Sequence, residues 1–375
     1  MIFSKEVKKI VANSTAFYDI GNILEFDALY NIVYGKRSNG KTYGCLEHGL
    51  KQFLLGKGQM AIIRRWDDDF SKKNCDSMFE SLVQNGLIEK YTNGEWQDVY
   101  YKSKRWYFSK LDKETNKVIT SDVPFCFAFA LTTWQHDKST SYPNVNTIIF
   151  DEFITKGSYL PDEFSIFCNV LSTIIRQRDG VKIFMLGNTV SKYCPYFEEM
   201  GLKHIKNQEK GTIDLYEFGD SGLTVAVEYT TENAEGHKSD KYFAFDNPKL
   251  KMITSGEWEL DVYPHKPEEF KREQIMFTYY IKFDEQLLQC EIVKGKHDVF
   301  TYIHERKGFL DIDKDDVLIY KQDYTSRPNH RRKLNFPIDK LDKKLYSFFQ
   351  KDNVYYQNNN VGDIVRNYFI WANQE

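Results

Sequence analysis

The sequence has no long hydrophobic run, few cysteines and no excess of basic residues. No apolar stretch approaches the roughly 20 residues that a membrane-spanning helix needs, and the first residues contain no hydrophobic core of a signal peptide. The 6 cysteines, at positions 45, 75, 126, 168, 194 and 290, form no C-x-x-C pair. This spacing argues against a zinc site and a disulfide framework, and it favours a reducing cytoplasm.

The charge balance restricts the classes of partner. A net charge of −3 at pH 7 is unlike that of a protein that coats nucleic acid, which is usually basic. Any nucleic-acid contact must therefore come from a local basic surface or a small pore. With 375 residues, of which 41% are hydrophobic and 28% charged, the chain can form two globular domains with sizeable cores.

The first strong motif is a glycine-rich loop that matches G-x-x-x-x-G-K-[ST], the phosphate-binding loop of nucleotide hydrolases. Lys41 is expected to contact the β- and γ-phosphates of ATP, and the Thr42 hydroxyl to ligate Mg²⁺. A β-prone run at 30–34 precedes the loop and a helical pattern at 43–55 follows it, which is the context that the motif requires. An ordinary glycine-rich turn is the alternative. The predicted nucleotide-binding residues are Gly35, Lys36, Arg37, Ser38, Asn39, Gly40, Lys41 and Thr42, with Phe17 and Tyr18 as aromatic residues that could stack on the base.

A second motif is the apolar run at 145–150 that ends in Asp151 and Glu152. Because both acids follow a predicted buried strand, both should lie at its carboxyl end, where ligands bind in open α/β sheets. Asp151 is expected to hold Mg²⁺ through water, and Glu152 to orient and deprotonate the attacking water. Two acids after a strand are a weak motif alone, but ATP hydrolysis needs both this motif and the phosphate-binding loop.

A pair of arginines ends another predicted strand, at 59–63. Since this strand should lie beside the phosphate-binding loop, Arg64 or Arg65 could contact a phosphate. The alternative is a surface pair bonded to the acids at 67–69.

Polar residues also follow a helix and a strand predicted after the acid pair. Asn188 ends the strand predicted at 181–187 and could sense the γ-phosphate or position the water. The helix predicted over 162–179 carries Arg176 and Arg178 near its end, which suits an arginine finger acting on the ATP of a neighbouring subunit. Ordinary cations at a helix C-terminus are the alternative.

Two clusters of basic residues could contact nucleic acid. Residues 95–133 alternate aromatic and polar side chains and are interpreted as a β-hairpin insertion followed by a strand. Lys104 and Arg105 there could grip a nucleic-acid backbone, or they belong to a solvated hairpin face. The second cluster could neutralise several phosphates of RNA or DNA, or form a solvated loop; it contains Arg327, Arg331, Arg332 and Lys333.

Three parts are predicted along the chain: a P-loop ATPase domain of the α/β class with a mainly parallel sheet at 1–206, a glycine-containing polar linker subdomain at 207–262, and an α+β domain at 263–375. The last part has three strand-like runs, the β-meander with which an RNase H-like domain begins. Nuclease activity in that fold needs carboxylates on the strands to hold two metals. The run at 276–281 contains no acid, so a degenerate, non-cleaving domain is predicted.

One longer segment resembles a known family. WQHDKSTSYPNV at 134–145, followed by FDEFI at 150–154, resembles the DNA-packaging ATPases of small protein-primed podophages of the Picovirinae type. Those proteins carry W-Q-x-x-K-S-x-x-Y-P-N-V before F-D-E-F-I, and then an R-x-R segment, a strand that ends in Asn and a Pro-Tyr-Phe sequence. Here these fall at 176–178, Asn188 and 195–197.

The resemblance implies an additional-strand, catalytic-glutamate P-loop ATPase domain related to the FtsK/HerA translocases. It implies a homopentameric ring in the host cytoplasm, docked through a structural RNA on the portal of a prohead and absent from the mature virion, that drives double-stranded DNA into the capsid. By position it makes Arg176 the trans-acting finger and Asn188 a coupling residue. The family tends to have a basic residue where this chain has Asp67, so Arg64 or Arg65 would have to supply that trans contact.

The predicted function is therefore an ATP-driven motor that moves double-stranded DNA into a prohead. One alternative is a headful terminase with a live nuclease, which manganese-dependent nicking of plasmid would support. Others are a nucleotide-switched binding protein and a phosphotransferase. The sequence contains no recognisable acceptor base and lid for a phosphotransferase. Stimulation of ATP hydrolysis by DNA would distinguish the motor from the binding protein and from the phosphotransferase.

Overall fold

The computed structural model describes residues 8–11, 18–137, 140–230, 258, 261, 263–266, 269–306, 308, 310–311, 315–323 and 326–374. The chain divides into two compact units, residues 1–259 and 260–375. Phe17, predicted to lie near the nucleotide, is outside the described residues. Among the helices that are described, none is long and apolar enough to cross a membrane.

The first unit is built on a mixed sheet whose central strands are parallel. The strands are β1 (Lys8–Val11), β2 (Tyr30–Gly35), β3 (Gln59–Arg64), β4 (Asp98–Lys102), β5 (Arg105–Leu111), β6 (Val118–Thr120), β7 (Cys126–Ala130), β8 (Val145–Asp151), β9 (Lys182–Asn188), β10 (Thr212–Phe218) and β11 (Leu223–Tyr229). Their order is β1-β10-β11-β2-β9-β8-β3-β7-β5-β4, with β6 beside β5. Neighbours from β11 to β7 pair in parallel, and the pairs at both ends are antiparallel. The predicted α/β class with a mainly parallel sheet is confirmed.

The central strands are buried on both faces. In β2, Ile32 and Tyr34 belong to one apolar cluster, while Val33 belongs to the cluster on the other side. In β8, Phe150 and Ile149 divide in the same way. Strands covered on both faces need near-continuous apolar sequences. This explains why these strands are apolar runs that lack the alternation of apolar and polar residues found in half-buried strands.

Helices cover the strands and connect them. They are α1 (Gly21–Leu24), α2 (Lys41–Leu54), α3 (Lys72–Ser77), α4 (Glu80–Gln84), α5 (Leu87–Tyr91), α6 (Glu163–Ile175) and α7 (Pro195–Glu199). Between β3 and β4 the chain forms three short helices, α3, α4 and α5. Gly86 has φ 68° and precedes α5, a left-handed conformation that glycine adopts readily and that interrupts a helix.

The predicted hairpin insertion is present. β4 and β5 pair with Lys102 opposite Arg105, and Ser103 and Lys104 between them have φ 52° and 59°. Positive φ at both central residues is the feature of the two-residue turn that matches the twist of a hairpin. β7 follows and joins the parallel part of the sheet beside β3.

The described part of the predicted linker subdomain differs from expectation at its start. Residues 212–229 form β10 and β11, and β11 pairs in parallel with β2. The first unit extends to residue 259 and so contains these two strands of the predicted linker subdomain. The predicted start of the last domain, at residue 263, lies close to the division between the units. Gly211 and Gly222, with φ 74° and 70°, mark the turns at the ends of this hairpin. The rest of the predicted linker lies mostly outside the described residues.

The second unit has its own mixed sheet. Its elements are β12 (Ile275–Phe283), β13 (Gln286–Lys294), β14 (Val299–Glu305), β15 (Ile319–Lys321), β16 (His330–Arg331), α8 (Lys340–Gln350), β17 (Val354–Tyr356) and α9 (Asn359–Gln374). β12, β13 and β14 form the predicted antiparallel meander, and β15 and β16 extend it in parallel on the β12 side. The strand order is β16-β15-β12-β13-β14-β17.

Candidate active site

The phosphate-binding loop connects β2 to α2, as the motif requires. Gly35 has φ 152°, and a Cβ atom there would lie 2.1 Å from the Thr230 hydroxyl oxygen, so only glycine fits. Gly40 has φ 94° and caps the amino end of α2. Arg37 and Ser38 are exposed on the loop, whereas Asn39 is buried. A loop of this kind directs backbone N–H groups and a helix N-terminus toward one point, which suits an anion.

Lys41 lies under this loop with its ammonium group held by oxygen atoms. Nζ donates to the Lys36 carbonyl at 2.6 Å, to Asn39 Oδ1 at 3.1 Å and to Asn188 Oδ1 at 3.3 Å. Burial lowers the pKa of Lys41 to about 7, and the Asp151 carboxylate opposes this shift. A phosphate beside Nζ would favour the charged form.

Asp151, at the end of β8, is contacted on both carboxylate oxygens. The Thr42 hydroxyl donates to Oδ1 at 3.2 Å, and Arg64 Nη2 donates to Oδ2 at 2.7 Å. Hydroxyl and carboxylate oxygens in this proximity are the donor types that Mg²⁺ prefers. The pair Thr42 and Asp151 therefore fits the magnesium site predicted from the sequence.

Glu152 follows directly and is the most accessible acid of the site. Its side chain is 64% exposed, and its Oε2 lies 3.9 Å from Arg64 Nη1. Its backbone is left-handed, with φ 61°, so the chain turns away from β8 at this residue. A carboxylate that is exposed next to the phosphate-binding loop can reach a water molecule.

Asn188 lies between the two motifs because of the strand order. β9 pairs with β2 on one side, with Asn188 opposite Gly35, and with β8 on the other, with Leu186 opposite Asp151. A strand inserted between the strands of the loop and of the acid pair is the additional strand that the resemblance implies. The carboxyl ends of β2, β9, β8 and β3 thus meet at one edge of the sheet and bring together Lys41, Thr42, Arg64, Asp151, Glu152 and Asn188.

Arg65, the next residue after Arg64, is buried. It forms an ion pair with Glu163, with 2.8 Å between Nε and Oε2, and the exposed fractions of the two side chains are 6% and 1%. The phosphate or trans contact considered for Arg65 is therefore replaced by a contact inside the protein. The alternative partners at 67–69 do not apply to it either.

Tyr18 packs at the first turn of α2. A Cβ atom at Gly44 would lie 3.4 Å from its ring, and its hydroxyl donates to Glu228 Oε2 at 3.2 Å. Burial raises the pKa of Glu228 to about 8. The sequence predicted Tyr18 as an aromatic residue near the nucleotide, and the structure adds Glu228 as its partner.

Arg178 and Arg176 lie at the opposite edge of the sheet. Arg178 Nη2 donates to the carbonyls of Ile174 and Val145 at 2.9 and 2.7 Å. Since Val145 begins β8 and Asp151 ends it, Arg178 lies about 20 Å from the acid pair of its own chain. Arg176 is exposed nearby, with φ 43°, and Nη2 donates to the Thr140 carbonyl at 2.8 Å.

The basic clusters are only partly accessible. Lys104 Nζ lies 2.5 Å from Asp67 Oδ1, and Arg105 is exposed with its guanidinium 5.8 Å from the Phe127 ring centroid. In the second unit, Arg331 forms ion pairs with Asp339 and Asp342, so it acts within the unit.

The rest of the second cluster is also engaged inside that unit. Arg332 Nε donates to the Gln322 carbonyl at 2.8 Å, and Lys333 Nζ lies 5.4 Å from the Phe336 ring centroid. Arg327 is the exposed arginine of this cluster. The sequence predicts that this cluster could neutralise phosphates or form a solvated loop; in the structure Arg331 and Arg332 are bound within the unit, whereas Arg327 is exposed.

Sequence reasoning missed two residues that support the site. Thr230 follows β11, and its hydroxyl accepts a hydrogen bond from Asn39 Nδ2 at 2.8 Å. Glu163 begins α6 and binds Arg65, 98 residues away in sequence. No local pattern marks either of them, since an acid in the first turn of a helix is common.

Comparison with known proteins agrees with this geometry. The family described as "Podovirus DNA encapsidation protein (Gp16)" matches residues 12–217, more than half of the chain. The DNA packaging protein of Bacillus phage phi29 is 30% identical over 188 residues, which are 49% of this chain and 50% of that protein. The DNA packaging protein of Bacillus phage B103 is 32% identical over 183 residues, 48% of this chain and 50% of that protein. The chain thus spans about half the length of the curated relatives it matches.

A solved structure extends the likeness in fold. The bacteriophage Phi-29 viral genome packaging motor assembly aligns with a TM-score of 0.56 at 20% identity, covering 96% of this chain and 100% of that chain. The resemblance predicted from the sequence motifs is confirmed by the family match. The chain belongs to the Podovirus DNA encapsidation protein (Gp16) family.

Proposed function

We propose that this protein hydrolyses ATP and uses the hydrolysis to move double-stranded DNA into a viral prohead. The observation that carries the proposal is the convergence of Lys41, Asp151, Glu152 and Asn188 at the carboxyl edge of one parallel sheet. These are the parts that phosphoryl transfer needs: a phosphate cradle, a magnesium ligand, a base and a polar residue near the γ-phosphate.

Each residue of the site has a separate role in the proposed hydrolysis of ATP. The loop from Gly35 to Thr42 binds the phosphates, and Lys41 neutralises charge on the β- and γ-phosphates. Thr42 and Asp151 would hold Mg²⁺, which supplies positive charge next to the phosphate oxygens. Glu152 accepts a proton from the attacking water, and Asn188, which contacts Lys41 Nζ, links the γ-phosphate position to β9.

Arg176 acts on the ATP of a neighbouring copy in this proposal. The phosphate-binding loop of its own chain lies across the length of β8, about 20 Å from the edge where Arg178 is held, beyond the reach of an arginine side chain. Exposure of Arg176 at the end of α6 supports contact with another subunit. The proposed assembly is a ring, with five copies as the number that the family resemblance implies.

The second unit is proposed to be an RNase H-like domain without nuclease activity. Support comes from β12, whose sequence IMFTYYIKF contains no acid, and from Asp342, which is engaged by Arg331 and Tyr320. The proposed partners are double-stranded DNA, the portal and prohead, and a phage structural RNA, and the proposed location is the host cytoplasm. Exposed Arg327 and Arg105 are the candidate nucleic-acid contacts.

The test is ATP turnover with and without double-stranded DNA, for the wild type, Glu152→Gln and the control Glu199→Gln. We expect DNA to stimulate the wild type and the control, and Glu152→Gln to bind ATP but lose about 100-fold or more in turnover, since it lacks the base. Turnover without any DNA effect would favour the nucleotide-switched binding protein. Transfer of phosphate to an acceptor other than water would favour a phosphotransferase.

A further inference from the structure

We propose that Arg65, Glu163 and Tyr196 form a positioning cluster that fixes the backbone of Glu152 and so sets the direction of its carboxylate. This inference rests on the proposed function, because it concerns how the base of ATP hydrolysis is held. Arg65 contacts the carbonyl oxygens of Glu152 and Phe153, so the cluster acts through the peptide that follows Glu152.

The backbone of Glu152 needs external support. Its φ of 61° lies in the left-handed region, which residues other than Gly, Asn and Asp adopt rarely. Such conformations persist at functional sites only where the surrounding structure determines them. A relaxed backbone at this position would turn the exposed Glu152 side chain to a different direction.

Hydrogen bonds from two sides hold the next peptide. Arg65 Nη2 donates to the Phe153 carbonyl at 2.9 Å, and Arg65 Nη1 lies 3.4 Å from the Glu152 carbonyl oxygen. The Phe153 N–H donates to the Leu186 carbonyl of β9 at 3.2 Å. The Arg65 guanidinium thus binds the turn immediately after Glu152. Arg64, one residue earlier, contacts the carboxylates of Asp151 and Glu152.

Glu163 in turn fixes Arg65. Its two oxygens accept hydrogen bonds from Arg65 Nε at 2.8 Å and from Nη2 at 2.9 Å. The Leu160 N–H donates to Oε2 at 2.7 Å, and the Tyr196 hydroxyl donates to Oε1 at 2.9 Å. The charged groups of Arg65 and Glu163 are both buried. A buried ion pair whose hydrogen bonds are all made contributes more to a defined geometry than to the stability of the fold.

Tyr196 closes the cluster. It is the tyrosine of the Pro-Tyr-Phe sequence at 195–197, and it is fully buried at the start of α7. The Tyr159 ring lies against Arg65 with 4.9 Å between the guanidinium carbon and the ring centroid. The cluster therefore joins β3, the turn after β8, α6 and α7 around one guanidinium.

Tyr196→Phe tests the cluster, because it removes one hydroxyl and keeps the ring in the core. Tyr101→Phe is the matched control, since Tyr101 is also buried and its hydroxyl donates to the Phe70 carbonyl at 3.3 Å away from the site. We expect kcat for ATP to fall by about 10-fold in Tyr196→Phe, with KM and nucleotide affinity within about 2-fold, because misdirection of a base lowers turnover without weakening binding. The control should keep the wild-type kcat.

Two further variants separate positioning from general damage. Arg65→Lys keeps the charge but cannot contact Glu163 and Phe153 together, so kcat should fall at least as far as in Tyr196→Phe. In a Glu152→Gln background, Tyr196→Phe should cause no further loss of the residual turnover, because the carboxylate that the cluster directs is already absent.

The outcomes distinguish this inference from the proposed function. If the wild type does not hydrolyse ATP, the proposed function fails and the inference fails with it. If the wild type hydrolyses ATP and Tyr196→Phe retains the wild-type kcat, the inference alone is wrong. A parallel rise in KM, or an additive loss in the Glu152→Gln background, would also overturn it.

Discussion

Arg64 Nη2 lies 2.7 Å from Asp151 Oδ2, on the carboxylate oxygen opposite to the one that the Thr42 hydroxyl contacts. The same guanidinium lies 3.9 Å from Glu152. It therefore balances two adjacent acids at the point where Mg²⁺ is expected to bind. Asp151 raises the pKa of Arg64 against the effect of burial.

This relationship predicts that Arg64→Ala makes the stability of the protein dependent on magnesium. Loss of the guanidinium leaves the buried Asp151 carboxylate without its cation and next to the exposed carboxylate of Glu152, which should lower the free energy of unfolding by about 2 kcal/mol in EDTA. Mg²⁺ should restore part of that loss by binding the same oxygens.

Urea unfolding in EDTA and in Mg²⁺ provides the measurement, and Arg105→Ala, which removes an exposed arginine, provides the control. An Arg64→Ala protein whose stability responds to Mg²⁺ no more than the wild type does would contradict the assignment of this edge as the metal site.

Glu228 predicts a pH dependence of stability. Burial raises its pKa to about 8 in the folded protein from the ordinary 4.5. Between these values the folded state holds a proton that the unfolded state has released, so stability falls as pH rises from about 5 to 8. Below this window both states are protonated at Glu228, and above it both are ionised.

Glu228→Gln should remove this contribution. Relative to the wild type, the variant should gain about 3 kcal/mol in the free energy of unfolding between pH 5 and pH 8. Urea unfolding at each pH measures the difference, with Glu217→Gln as a control on the exposed end of the neighbouring β10. If the free energies of unfolding of the wild type and the variant differ by the same amount at pH 5 and at pH 8, Glu228 is ionised in the folded protein and the prediction is wrong.

We expect the second unit not to cleave DNA. Its Glu291 accepts a hydrogen bond from Gln289 at 2.6 Å and lies 3.5 Å from His304, and β12 offers no acid beside it. Supercoiled plasmid incubated with the protein and Mn²⁺ should therefore stay supercoiled. Manganese-dependent nicking that Glu291→Gln abolishes would instead support the headful terminase.

The parts of the site that could be predicted are those that one short segment encodes. The loop at Gly35–Thr42 and the acids after β8 each combine a chemical motif with an apolar strand, so local sequence was sufficient for both. Their meeting at one edge followed from the rule for parallel sheets, and the strand order agrees with it.

The parts that could not be predicted depend on contacts between distant segments. Arg64 and Arg65 are neighbours with the same charge, and only the fold directs one to Asp151 and the other to Glu163. The glycines near 211–222 suggested a linker, but they form turns of a hairpin that extends the sheet. At 327–333 the sequence indicated a group of cations, but not that Arg331 binds Asp339, just before α8, and Asp342, in its first turn.

If ATP is hydrolysed between subunits, as proposed, a mixture of two inactive variants should recover activity. Lys41→Ala lacks the phosphate contact and Arg176→Ala lacks the proposed finger, while Lys51→Ala, an exposed lysine later in α2 paired with Glu47, serves as the control. We predict that each of the two variants alone is inactive and that their mixture recovers ATP turnover, because some interfaces then combine an intact loop with an intact Arg176. A mixture that stays inactive, or an Arg176→Ala protein that hydrolyses ATP at the wild-type rate, would contradict the account.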